Sequence, residues 1–154
     1  KFLCCVRDPM EVVPSQLSSI RAGASLFGYD VAEPRIRDRF VTMLEFYAKH
    51  ALAVLEEMPE EEQAFVPMEE MRKDVGGFVL EIYRRFRWQA DPGFRNRLVA
   101  ETRRGRSYRS RHSYTLEEFG LDEVEVIKRF QEMNGRFGFG SFPAGAGASD
   151  GPDE

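Results

Sequence analysis

The sequence is poor in the residues that build disulfide frameworks and metal sites. Its 154 residues include two cysteines and two histidines. Cys4 and Cys5 are adjacent, so they cannot readily bridge to each other and they lack the spacing of metal ligands. We interpret both as buried thiols of a strand. Because no run of about 18 apolar residues occurs, the sequence gives no reason to expect a membrane segment.

The chain does have enough apolar material for one hydrophobic core. Hydrophobic residues make up 42% of the sequence and charged residues 31%, which fits a single globular domain. The net charge of −4 conceals a basic segment from Arg84 to Arg111, which has ten arginines and two acidic residues. Such a segment can attract a polyanion or a phosphorylated small molecule. For most of these arginines we favour the simpler interpretation of a solvated helix surface.

Two short apolar runs predict parallel strands, Phe2–Val6 and Ala64–Pro67. Between them, apolar residues in steps of three and four predict the clearest helix of the sequence, over residues 33–58. An earlier helical segment should run from Pro9 to about Gly23, and Pro14 should restart or kink it. A buried strand needs neighbours, so we expect further strands upstream of the first run.

The second half of the sequence predicts further helices. Gly105 should end one of them, and residues 106–114, which are polar and basic, should form a loop. Thr115 followed by Glu118 fits a capping box ahead of a short helix. The longer helices are expected at about Val75–Phe86, Pro92–Arg104 and residues 123–133. This order of strands and helices is the signature of a three-layer α/β domain.

The sharpest local feature is Arg7, followed eight residues later by Ser15. An arginine at the carboxyl end of a parallel strand lies where open α/β sheets bind ligands. Arg7 can donate charge-assisted hydrogen bonds to a phosphate, while Ser15 adds a hydroxyl and the helix N-terminus adds backbone N–H groups. Alternatively, Arg7 pairs with Asp8 or a distant carboxylate, and Ser15 only caps the helix. The residues alone support the two interpretations equally.

The segment from Val6-Arg7-Asp8-Pro9 to Val13-Pro14-Ser15 resembles the PAPS-dependent sulfotransferase superfamily, particularly its bacterial branches. In that family, an arginine that closes a core strand and a serine eight residues later bind the 3′-phosphate of the donor. Residues 65–86 are similar to the family's next strand, Tyr-Glu-Asp-Leu segment and helix, although Met68 stands where many members have a tyrosine. Residues 108–121 are similar to its C-terminal basic loop and short helix.

The resemblance implies a helix-rich C-terminal portion of a P-loop-like α/β fold. Residues 1–134 would form a partial sulfotransferase domain, and residues 135–154 a disordered glycine-rich tail. The implied parent enzyme transfers sulfate from PAPS to a hydroxyl or amine of a small-molecule, glycan or lipid acceptor, without a metal. The nucleotide product is the 3′,5′-bisphosphate.

The resemblance also nominates residues of the basic loop for the donor site. They are Arg109, Arg111, His112 and Tyr114. For His112, a loop histidine bonded to backbone is the alternative interpretation. In the family, the phosphosulfate loop and the catalytic base lie upstream of the arginine that Arg7 matches. These 154 residues contain neither. We therefore expect weak or no donor binding and no turnover from this chain alone.

Two other functions compete with this hypothesis. A nucleic-acid-binding or scaffold module could work through Arg84–Arg111, and its affinity would fall steeply with salt. Aromatic residues do not interleave regularly with these arginines, so we do not expect a nucleic-acid partner. A kinase-like nucleotide-binding enzyme would need a Walker-type loop, which the sequence lacks.

Overall fold

The computed structural model describes residues 1–107 and 114–139. Within these residues, strand β1 (Phe2–Val6) and strand β2 (Gln63–Pro67) form a two-stranded parallel sheet. The register runs from Phe2 opposite Gln63 to Val6 opposite Pro67. The two predicted parallel strands are therefore confirmed.

The other described elements are helices, so the predicted class of helix-rich α/β chain with parallel strands is also confirmed. Two long helices, α1 (Pro9–Leu26) and α2 (Pro34–Glu56), connect β1 to β2. The elements after β2 are α3 (Met68–Lys73), α4 (Val75–Arg85), α5 (Pro92–Ser107), a 3₁₀ turn (Glu117–Phe119), α6 (Glu123–Arg129) and α7 (Gln131–Phe137). Sequence periodicity missed α3, because six residues following a strand are too short to establish a helical period.

Strand β1 is less covered than the predicted buried strand. Cys4 and Val6 face a small apolar cluster that includes Leu52. In contrast, Phe2 and Leu3 are 60% and 49% exposed. Cys5 is also exposed and Cys4 is half-buried, so the prediction of two buried thiols is wrong. The physical reason is that, among the described residues, β1 pairs with β2 along one edge only.

Helix α1 extends beyond its predicted end. It passes through Pro14 without restarting, and through Gly23, to Leu26. The missing N–H of Pro14 removes one helical hydrogen bond, but its ring is fully buried in the core. The stop lies instead at Gly28, where φ is 77°. The N–H groups of Gly28 and Tyr29 there donate to carbonyls of the last turn, 3.1 and 3.0 Å away.

Gly76 and Gly105 allow close packing between two helices instead of stopping a helix. Helix α5 continues through Gly105, so the predicted stop there is wrong and the predicted loop begins too early. A Cβ on Gly105 would lie 3.4 Å from a methyl group of Val75 on α4. At Gly76 the approach is closer, because its N–H donates to the hydroxyl of Thr102 at 2.8 Å. The glycines thus set the distance between α4 and α5.

Alanine substitutions should distinguish a glycine that is needed for close packing from a helical glycine that has open space around it. Gly76→Ala is expected to destabilise the protein by about 1–3 kcal/mol, because its Cβ would lie 2.6 Å from Thr102 Oγ1. Gly23→Ala is the matched control within α1, where a Cβ meets nothing within 4 Å. That change should stabilise the protein by about 0.4–1 kcal/mol. Urea unfolding of both variants measures the difference, and equal effects would contradict the packing role of Gly76.

The predicted last helix is divided in two. Helices α6 and α7 meet at Phe130, whose backbone angles (φ −102°, ψ 23°) leave the helical range. Phe130 packs in the larger of two apolar clusters, whereas Met133 packs in the smaller one, on the sheet beside Leu52. The break thus allows the two residues to pack in different clusters. Helix α7 continues through Gly135 to Phe137. Residues 140–154 lie outside the described residues, and the predicted tail over them stays a prediction.

The larger core lies between α1, α2 and the 3₁₀ turn with α6. Its fully buried side chains include Val13, Leu17, Val41 and Phe119. Thr115 accepts the N–H of Glu118 at 3.2 Å, as the capping box predicts, but the Glu118 carboxylate bonds Arg21 at 2.7 Å. The C-terminal elements therefore hold α1 and α2 together beside β1.

An ion pair also connects α6 to α2. Arg129 Nε lies 3.0 Å from a carboxylate oxygen of Glu45, and Arg129 Nη2 lies 2.6 Å from Thr42 Oγ1. Hydrogen bonds from Lys49 and then from Arg129 lower the pKa of Glu45 from its ordinary value of 4.5. Because the pKa of Glu45 is lower in the folded state than in the unfolded state, the pair stabilises the protein at pH values above the ordinary pKa. That stability is lost as the pH falls through the lowered value.

Glu45→Gln should therefore lower stability at about pH 7 and have little effect at about pH 3. The loss should be about 0.5–1 kcal/mol, since both side chains keep some contact with water. Glu57→Gln is the control, because Glu57 makes no side-chain hydrogen bond or ion pair within the described part of the chain. Melting temperatures of the two variants across this range test the account, and a Glu45→Gln loss that is independent of pH would contradict it.

Candidate functional site

Arg7 lies at the carboxyl end of β1, as the sequence predicts. The preceding residue, Val6, is buried against the sheet-side cluster, so the strand end is fixed by packing. The next residue, Asp8, caps α1 by accepting the N–H of Met10 at 2.8 Å. The backbone of Arg7 is therefore fixed between a packed strand end and a capped helix start.

The Arg7 guanidinium is held by a carboxylate one helical turn into α1. Its Nε donates to Glu11 in an ion pair whose partners keep 32% and 44% of their side-chain exposure. The alternative interpretation of a carboxylate partner is thus correct in kind, although the partner is Glu11 and not Asp8. The two terminal nitrogens of Arg7 have no hydrogen-bond partner among the described residues. They keep donors available for an anion.

Sequence reasoning missed Glu11, although the signal was present. Glu11 follows Arg7 by four residues and sits in the first turn of a helix that was correctly expected to begin at Pro9. An acid at that position is favoured by the helix dipole and can reach back to a basic residue before the helix. The pairing therefore has a local cause.

Ser15 lies deeper in α1 than predicted. It is the seventh residue of the helix and half-buried, so it does not cap the N-terminus. The backbone N–H groups expected to help bind an anion are also engaged. Pro9 has no N–H, that of Met10 bonds the Asp8 side chain, and those of the next two residues donate to the Asp8 carbonyl at 2.9 Å. A contribution from the helix N-terminus is therefore not supported.

Glu11 and Ser15 nevertheless share one side of α1, and Arg7 pairs with Glu11. Glu11 and Ser15 are four residues apart on the helix, which places their Cβ atoms about 5–6 Å from each other. Arg7 reaches the same carboxylate from the strand end. The Ser15 hydroxyl makes no hydrogen bond to another described residue. Glu11 therefore contacts the Arg7 guanidinium and lies one helical turn before Ser15.

The other predicted donor-site residues belong to the basic loop within residues 108–121. Arg109, Arg111 and His112 lie outside the described residues. Tyr114 is half-buried and directly precedes Thr115, the residue that caps the 3₁₀ turn. Their assignment to a donor site therefore stays a prediction.

The described arginines of the basic segment mostly have local acceptors. Arg84 donates to Glu81 at 2.8 Å, and Arg104 donates to Glu101 at 2.9 Å. Arg85 Nε donates to the carbonyl of Glu60 at 2.8 Å, and Arg95 Nε to that of Ala90 at 3.1 Å. These exposed pairs are typical of a solvated helix surface. They favour the simpler interpretation of the segment over a nucleic-acid interface.

Three further observations concern the described residues alone. No three of their histidine, cysteine, aspartate and glutamate side chains are grouped so that they could bind a metal ion. None of their helices combines the length and apolar character that crossing a bilayer requires. Burial raises the pKa of the Cys4 thiol, with a smaller contribution from Cys5.

Comparison with known proteins gives one informative likeness. No protein-family model matches the chain, and no curated protein matches its sequence. The structure is similar to that of the sulfotransferase STF9 from Mycobacterium avium, with a TM-score of 0.72 and 19% sequence identity. The likeness covers 87% of this chain and 35% of that protein. It shows that the chain has a sulfotransferase fold, and that it spans about a third of the length of this neighbour.

Proposed function

We propose that this chain provides the site for the 3′-phosphate of the nucleotide donor in a PAPS-dependent sulfotransferase. The observation that carries the proposal is the position of Arg7 at the carboxyl end of a parallel strand, where it pairs with Glu11, one helical turn before Ser15. Ligands of open α/β sheets bind at this edge. The sulfotransferase fold of the chain supports the same assignment.

Binding would exchange one anion for another at Arg7. The guanidinium is already oriented by Glu11, and a phosphate dianion offers more charge and more acceptor oxygens than that carboxylate. The terminal nitrogens of Arg7 would donate to two phosphate oxygens, and the Ser15 hydroxyl would donate to a third. Glu11 competes with the phosphate for Arg7. An anion that interacts with the guanidinium more weakly than Glu11 does would therefore not displace this carboxylate.

The proposed reaction is sulfuryl transfer from PAPS to an acceptor. An acceptor hydroxyl or amine of a small molecule, glycan or lipid attacks the sulfur, and the bond from sulfur to the phosphate oxygen breaks. The acceptor proton passes to a general base, and adenosine 3′,5′-bisphosphate departs with the electron pair of the broken bond. Arg7 and Ser15 position the donor through a phosphate remote from the reacting atoms. These 154 residues are expected to bind weakly and not to turn over.

Titration with two nucleotides tests the proposal. Adenosine 3′,5′-bisphosphate should shift the backbone NMR signals of residues 7–15 at millimolar concentration, an affinity of about −4 kcal/mol. Adenosine 5′-monophosphate lacks the 3′-phosphate and should leave those signals in place. Equal shifts with both nucleotides, or no shift with either, would contradict the assignment.

A further inference from the structure

A groove between the end of α1 and the start of α2 has an apolar floor. The groove has a volume of about 730 Å³, which is within the range of small-molecule sites. Ile36, Phe40 and Met43 share one face of α2 at helical spacing, and Ile20 of α1 lies opposite them. Ile20 and Phe40 also pack against the larger core, so the core fixes the floor of the groove.

Two arginines that have no hydrogen-bond or ion-pair partner among the described residues also line the groove. Arg35 and Arg39 are four residues apart on α2, both are exposed, and both line the groove. Neither makes a hydrogen bond or an ion pair within the described part of the chain. Arg37, between them, behaves differently, because it pairs with Asp38 at 2.7 Å and donates to the carbonyl of Gly120 at 2.7 Å. These contacts give Arg37 a structural role. Arg35 and Arg39 have no such contact among the described residues.

The charge of the groove limits the ligand to one acidic group. Glu33 also lines the groove, and its carboxylate neither caps α2 nor pairs with Arg35 or Arg39. A ligand with a second anionic group would approach this carboxylate and be repelled. A polyanion is disfavoured for the same reason.

We propose that this groove binds an amphipathic anion with an aryl or alkyl body and a single carboxylate, sulfate or phosphate group. The body lies on the apolar floor, and the acidic group accepts charge-assisted hydrogen bonds from Arg35 and Arg39. Desolvation of the body gives affinity, and the two guanidinium groups give selectivity for an anion. The site is separate from the proposed donor site at Arg7 and does not depend on it.

A pair of fluorescent probes tests the proposal on the whole chain. 1-Anilinonaphthalene-8-sulfonate carries an aryl body and one sulfonate, and N-phenyl-1-naphthylamine has the same rings without the charge. In the double variant Arg35→Gln with Arg39→Gln, the affinity for the sulfonate should fall at least about tenfold. The affinity for the uncharged probe should not change. Equal affinity of the variant and the unmodified chain for the sulfonate would overturn the proposal.

A matched double variant controls for overall charge. Arg97 and Arg103 are exposed arginines of α5 that also make no hydrogen bond or ion pair to the described residues. Replacing both by glutamine should leave sulfonate binding unchanged, and a loss equal to that of the groove variant would overturn the proposal. Met43→Glu, at a half-exposed part of the floor, should weaken both probes and locate them in the groove. Circular dichroism of each variant verifies the fold.

The acidic group could belong to a free amphiphile or to a lipid headgroup, and vesicles distinguish the two. Leu26 and Phe27, at the end of α1 and shortly before the groove-lining Tyr29, are 86% and 78% exposed. Vesicles of phosphatidylcholine with phosphatidylglycerol should not retain the chain, whereas the soluble sulfonate binds. Retention that is lost in Leu26→Ser with Phe27→Ser, without any effect of the Arg35 and Arg39 changes on the sulfonate, would overturn the groove proposal in favour of a lipid surface.

Discussion

Arg7→Ala is expected to abolish the NMR response of the chain to adenosine 3′,5′-bisphosphate. Hydrogen bonds to charged groups contribute about 1.5–3 kcal/mol, which corresponds to about tenfold or more in affinity. A millimolar complex that loses this much no longer saturates at accessible nucleotide concentrations. Since Arg7 pairs with a Glu11 side chain that is partly exposed, and such ion pairs contribute little to stability, its removal should leave the fold intact. A variant that still binds the bisphosphate with the affinity of the unmodified chain would refute the role of Arg7.

Glu11→Gln is the matched control for this prediction. It removes the negative charge that competes for Arg7 but keeps the side-chain size and the helix. The bisphosphate should then bind more tightly, because the guanidinium no longer exchanges one anion for another. If Arg7 served only as a structural partner of Glu11, both substitutions would affect stability alone. Opposite effects on nucleotide affinity therefore separate a binding role from a structural one.

Phe119→Ala is expected to have the largest effect on stability, a loss of about 3–5 kcal/mol. Phe119 is fully buried in the larger core. The guanidinium of Arg21 lies 4.6 Å from its ring centroid, and Arg37 donates to its carbonyl at 3.2 Å. Truncation leaves a cavity at the point where the 3₁₀ turn meets α1 and α2. Urea unfolding followed by circular dichroism measures the loss.

Phe46→Ala is the control for this core prediction. Phe46 is on α2 with 59% of its surface exposed, and its ring stacks on His50 with centroids 5.6 Å apart. Its removal should cost less than about 1 kcal/mol, because little apolar area returns to water. Similar losses for the two phenylalanine variants would mean that the core does not depend on the 3₁₀ turn.

The parts of the fold that the sequence predicted are those with strong local patterns. Helix α2 repeats apolar residues over many turns, and β1 is an unbroken apolar run, so both elements follow from local physics. The stop at Gly105 was predicted wrongly, because the reason for that glycine is a contact with Val75, thirty residues away. Local patterns do not contain such contacts. The break at Phe130 has a similar origin, since the residues on the two sides of it pack in two separate apolar clusters.

The candidate site was predictable in position but not in detail. The place of Arg7 follows from the end of an apolar strand, and the partner Glu11 follows from a spacing of four residues that sequence reasoning overlooked. The depth of Ser15 in α1 could not be anticipated, because a proline at residue 14 suggested a helix start just before it. Burial of the Pro14 ring in the core is a tertiary effect.

Phosphorus NMR of adenosine 3′,5′-bisphosphate tests the central claim most directly, because the nucleotide reports separately on its two phosphates. On addition of the chain, the signal of the 3′-phosphate should shift and broaden while that of the 5′-phosphate changes little. The Arg7→Ala chain should leave both signals unchanged. A response of the 5′-phosphate alone, or a response of the 3′-phosphate that persists without Arg7, would contradict the account.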